Sequence, residues 1–159
     1  MYQSNEAGYR ENLGVRILCL GDDCPELLRI AVELDHQIDF TMISTAAEAR
    51  AVLDDEGAFD VIIMDFKLRR IGGAALVRRL RIHSPDAERL VIAARPTLAA
   101  NAMASECRVM RVLRKPFEPD VLREAVSDAL LRHRARNLRA ATPTVAHFVL
   151  TAPPRYMAG

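Results

Sequence analysis

Four charged residues stand at the ends of apolar runs. Asp22 and Asp23 follow "VRILCLG", Asp65 closes "FDVIIMD", and Lys115 follows "RVLR". Packing alone gives little reason for a carboxylate at the mouth of a buried run. Three carboxylates brought to one place repel one another, and a hard, oxygen-preferring divalent cation relieves that repulsion. An ammonium group in the same cluster supplies further countercharge. Each residue alone has a plainer reading. Asp22 and Asp23, before Cys24 and Pro25, suit a helix start. Asp65 suits a turn, and Lys115 suits a solvated surface. The chemistry therefore depends on whether the fold brings the four together.

The elements that would position them alternate regularly. "VRILCL" (15–20) is a short apolar run, as expected of a strand covered on both faces. Pro25 suits the first turn of a helix over "ELLRIAVEL", in which Leu27, Leu28, Ile30, Ala31 and Leu34 recur at helical spacing. "DFTMI" (39–43) is the second strand, and Thr45 with Glu48 has capping-box spacing at the head of "AAEARAVL". Gly57 ends that helix and "FDVIIMD" is the third strand.

Gly72 and Gly73 predict a flexible turn into "AALVRRLRI", with Leu76, Val77 and Leu80 on one face. "SPDAE" breaks the chain before the fourth strand, "RLVIAA" (89–94). An alanine-rich helix, "TLAANAMASE", leads to the fifth strand, "RVMRVL" (108–113). A final amphipathic helix, "EPDVLREAVSDALLRHRAR", carries Val121, Leu122, Val126, Leu130 and Leu131.

Five strands alternating with five helices predict a doubly wound α/β domain over residues 14–136, with a parallel sheet covered on both faces. Residues 1–13 and 137–159 read as tails. "TVAHFVL" in the second could dock or add an edge strand, or remain loose. In such a sheet, chemistry gathers at the C-terminal ends of the strands. That rule places Asp22, Asp23, Asp65 and Lys115 at one edge.

Composition narrows the rest. The 159 residues carry 22 Lys and Arg against 21 Asp and Glu, a net charge of +1, which nominates neither nucleic acid nor membrane as a partner. No apolar stretch is long enough for a membrane span, and the first residues have no apolar signal-peptide core. Cys19, Cys24 and Cys107 have no paired spacing, which fits small buried hydrophobes in a reducing cytoplasm. His36, His83, His133 and His147 show no ligand spacing and read as surface residues.

Taken in order, "ILCLGDDCPELL", "FDVIIMDFKLRRIGG" and "RVLRKPF" resemble the receiver domain of bacterial two-component response regulators. The resemblance covers almost all of residues 14–136 and implies the flavodoxin-like strand order 2-1-3-4-5. It implies that Asp65 accepts a phosphoryl group from a sensor histidine kinase or phosphotransfer protein, and that the chain is not an enzyme but a phosphoacceptor that could catalyse its own phosphorylation and dephosphorylation. It implies Mg²⁺ held by Asp22, Asp23, Asp65 and the backbone carbonyl of Lys67, and a phosphoryl contact from Lys115. Lys67, Ala93, Ala94 and Arg95 would surround the phosphoryl group. Gly73 and Pro116 would shape loops, the latter through a bond that is often cis in the family. A homodimer, if formed, would use the face of the fourth helix, fifth strand and fifth helix, the surface usual in the family.

Departures from the family pattern carry weight too. The switch Thr or Ser at the end of the fourth strand falls on Ala93, and the rotating Tyr or Phe of the fifth falls on Val112. Arg69 replaces the proline common after the phosphorylation site, and Gly21 stands where a branched apolar residue is usual. Three readings follow. One is a stand-alone phosphoacceptor that signals by protein contact or acts as a phosphate sink. The second is a degenerate, phosphorylation-independent interaction module. The third uses the arginines of "VRRLR" (77–81) and "LRHRARNLR" (131–139) for an anion, as some arginine-rich receivers bind cyclic di-GMP. The plainer role of those arginines is to complement helix C-termini.

Overall fold

A computed structural model describes residues 14–21, 29, 38–95 and 97–141; for residues 56, 68–74 and 141 it describes only the backbone. Five strands form one parallel sheet: β1 (Val15–Leu20), β2 (Ile38–Ile43), β3 (Val61–Asp65), β4 (Glu88–Ala93) and β5 (Arg111–Arg114). Their order is β2-β1-β3-β4-β5. Four helices lie among the described residues: α1 (Ala46–Glu56), α2 (Phe66–His83), α3 (Leu98–Glu106) and α4 (Pro119–Ala141). Of the helix expected over 26–34 only Arg29, which is helical, is described; Cys24, His36, His147 and residues 142–159 fall outside the described residues.

Period-two alternation along the strands divides the core into two layers. Leu18, Leu20, Ile62, Met64 and Val91 pack with residues of α1, α2 and α3 on one side. Ile17, Cys19, Val61, Ile63, Leu90, Ile92 and Leu113 pack on the other, against Leu122, Ala125, Val126 and Ala129 of α4. β3 and β4 are buried at every position because helices cover both faces.

Local signals act as the sequence suggests around α1. The Thr45 hydroxyl accepts the Glu48 N–H, and the Glu48 carboxylate accepts the Thr45 N–H. Gly57 follows with φ 80°, a backbone that costs a side chain strain and glycine none.

Several elements differ from expectation. Gly72 and Gly73 do not form a turn or a loop: α2 begins directly after Asp65 and runs unbroken through both to His83. Two glycines weaken a helix interior by about 1 kcal/mol each. Burial of Leu76, Val77 and Leu80 against the sheet, with a cap at Asp65, opposes that cost. β5 starts at Arg111 rather than at 108, because Arg108 adopts a left-handed φ of 52° and turns the chain after α3. α4 continues to Ala141, beyond the expected end at 136, and Leu131 lies outside the core at 63% exposure.

His133 is not a surface residue. It is buried, with Nε2 3.0 Å from Asp60 Oδ1, while Asp60 Oδ2 accepts the Arg16 N–H at 2.8 Å. This contact ties α4 to the start of β3, at the end of the sheet opposite Asp65. Nearby, Arg136 of α4 pairs with the buried Glu88 and donates to the Asp86 carbonyl.

Candidate functional site

Asp65 is the last residue of β3 and the N-cap of α2. It is only 7% exposed, and both carboxylate oxygens have donors. Lys115 Nζ lies 2.6 Å from Oδ2, and the Lys67 N–H donates to Oδ1 at 2.9 Å. A carboxylate at a helix N-terminus also meets the positive end of the helix dipole. Burial that would otherwise penalise the charge is thus met by an ammonium and a backbone donor.

Lys115 reaches Asp65 because β5 ends beside β4 in parallel register. Ala93 pairs with Arg114, and the Lys115 N–H donates to the Ala93 carbonyl at 2.9 Å. The peptide between Lys115 and Pro116 is cis. Ala93 itself is buried at the end of β4, while Ala94 and Arg95 immediately beyond it are exposed, as is Lys67. Val112 is half-buried and packs against the core layer of α1, α2 and α3.

The sheet therefore brings Asp65, Lys115 and Ala93 together at its C-terminal edge. Asp22 and Asp23 lie outside the described residues. Gly21, which precedes them, is packed against Asp65: a Cβ built on the glycine would stand 3.0 Å from the Asp65 Cβ. A branched residue there would press into the aspartate, which gives a physical reason for a glycine at this position. Sequence reading registered Gly21 only as a departure, since its function is to leave space rather than to supply a group.

The Lys67 N–H reaches Asp65 because Lys67 belongs to the first turn of α2, where it has no intrahelical acceptor. Among the described residues no cluster of three or more His, Cys, Asp or Glu stands ready for a metal. Carboxylates are the ligand type that suits Mg²⁺, and Asp65 would need the expected Asp22 and Asp23, which lie outside the described residues, to complete such a set.

Comparison with known proteins agrees with this architecture. The family model of the response regulator receiver domain matches residues 19–127. An alignment over 130 positions, which takes in 77% of this chain, is 28% identical to the virulence sensor protein BvgS of Bordetella pertussis. The chain spans about 10% of the length of that relative. Among solved structures, a CheY-like response regulator receiver domain protein from Methanospirillum hungatei JF-1 superimposes with a TM-score of 0.65 at 21% identity, over 77% of this chain and 98% of the other. The signal receiver domain of an HD domain-containing protein from Pseudomonas fluorescens Pf-5 gives 0.66 at 22% identity, over 77% and 98%. With the family model spanning most of the chain, and a five-stranded parallel sheet in the order β2-β1-β3-β4-β5, the protein belongs to the response regulator receiver family.

Proposed function

We propose that Asp65 accepts a phosphoryl group from a sensor histidine kinase or phosphotransfer protein, and that the product signals by protein contact or serves as a phosphate sink. The observation that carries this reading is the buried Asp65 carboxylate facing Lys115 Nζ at 2.6 Å, at the mouth of the sheet. An Asp65 oxygen attacks phosphorus, the P–N bond of the donor's phosphohistidine breaks, and the imidazole leaves with the electron pair. Lys115 is placed to exchange its carboxylate contact for a phosphoryl oxygen. Asp22, Asp23 and Asp65 would hold Mg²⁺, whose charge would offset that of the transferring group. Similarity to part of a sensor protein supports a signalling role.

Lys67 and Arg95, both exposed near this edge, would hold phosphoryl oxygens where Ala93 offers no hydroxyl. A small phosphodonor with Mg²⁺ adds one phosphoryl group to the wild type, and a chelator or Asp22→Asn with Asp23→Asn suppresses it. No adduct under any of these conditions would contradict the reading.

A second reading has its own observation. Ala93 is buried without a hydroxyl, and Val112 is locked into core packing rather than aromatic and mobile. A module that binds its partner without phosphorylation accounts for both. Partner binding that is unchanged in Asp65→Asn would favour it.

A further inference from the structure

The two flanks of α2 are treated differently. Along one flank, Arg79 and His83 pair with Asp54 of α1, and the two helices pack closely. The other flank faces α3 with sparse contact, leaving a groove of about 450 Å³ lined by Val77, Arg78, Arg81, Ile82 and Glu106. Arg78 and Arg81 are exposed, and neither has a hydrogen-bond or ion-pair partner among the described residues. Glu106, across the groove, is likewise unpaired among them. Ile82 is 66% exposed on the rim.

A third arginine lies behind this surface. Arg89 of β4 shares the strand face of Val91, on the α2 and α3 side, and is only 4% exposed. Its Nη2 donates to the Ser84 carbonyl at 2.6 Å, while Nε is buried without a partner. Burial lowers the tendency of the guanidinium to hold its proton; Cys107 and Glu88 oppose this, and the cations Arg81 and Arg136 add to it. Among the described residues the groove lining thus carries two cations against one carboxylate, with the buried Arg89 close enough to Arg81 for their charges to repel.

We propose that this groove docks an acidic segment of a partner protein, one that carries an apolar side chain for Val77 and Ile82 and carboxylates for Arg78 and Arg81. Charge complementarity selects the acidic partner. The groove is partly open to solvent, with the exposed Ile82 at its rim, so a small anion would leave much of its surface wet, unlike ligands in enclosed pockets. Glu106 in the wall opposes a nucleic-acid backbone. The α2 helix that carries this surface is the one capped by Asp65, yet docking does not depend on phosphorylation.

The test uses a capped, dye-labelled amphipathic peptide with leucines on one helical face and glutamates beside them, and its lysine counterpart. Fluorescence anisotropy with the full chain should show the acidic peptide binding more weakly as salt rises, and the lysine peptide failing to bind. Arg78→Glu with Arg81→Glu should weaken binding at least about tenfold. Glu106→Lys should strengthen it several-fold, a gain that misfolding cannot imitate. Absence of binding, equal binding of both peptides, or insensitivity to Arg78, Arg81 and Glu106 would overturn the proposal.

Discussion

Gly21 approaches Asp65 so closely that a Cβ on the glycine would stand 3.0 Å from the aspartate Cβ. Real Cβ contacts are rarely that tight, so Gly21→Ala must push β1 or β3 apart. Overpacking of this kind costs about 1–3 kcal/mol, and Gly21→Val should cost more. Urea denaturation measures the loss. Because the conflict is Cβ against Cβ, adding Asp65→Ala should not relieve it.

Asp65 and Lys115 should prove energetically coupled. Lys115→Met leaves a nearly buried carboxylate with, among the described residues, the Lys67 N–H as its one remaining donor, while Asp65→Asn leaves an ammonium facing an amide. Lys115 keeps some contact with solvent, so the loss for Lys115→Met should be about 1–3 kcal/mol rather than the full cost of a stranded buried charge. Equilibrium unfolding of both single variants and the double variant should give less destabilisation in the double than the sum of the singles.

The opposite end of the sheet offers a second asymmetry. Arg136→Ala strands the buried Glu88 and should cost about 1–3 kcal/mol, reduced from the fully buried case because Arg136 is half exposed. Glu88→Leu combined with Arg136→Met should recover most of that loss. Thermal or chemical denaturation of the single and double variants checks it.

If Lys67 and Arg95 replace the missing hydroxyl, the phosphorylated chain should lose its phosphoryl group several-fold faster in Lys67→Ala with Arg95→Ala. Decay followed after removal of the phosphodonor gives the lifetime. An unchanged lifetime would remove both residues from the site.

Much of this fold is legible from local sequence. The apolar runs of β1 and β3 are buried on both sides, and Thr45 with Glu48 forms the capping box its spacing announces. The acceptor edge follows from the same rule, since Asp65 and Lys115 each end a strand or follow one directly. Contacts between distant segments were not legible. His133 is buried beside Asp60, which is remote in sequence, and the burial of Arg89 shows only once its guanidinium is seen donating to the Ser84 carbonyl. The glycine pair misled for a different reason. Propensity favours a turn at Gly72 and Gly73, and tertiary burial of the following turns of α2 outweighs it.

The central claim is that Asp65 carries the phosphoryl group. An acyl phosphate is reduced by borohydride to the corresponding alcohol, which marks the residue permanently for peptide mass spectrometry. After treatment with a small phosphodonor and Mg²⁺, wild-type chain should yield that reduction product at position 65 and nowhere else, and Asp65→Asn should yield none. A product at another aspartate, or no product when the cognate kinase is also supplied, would contradict the account.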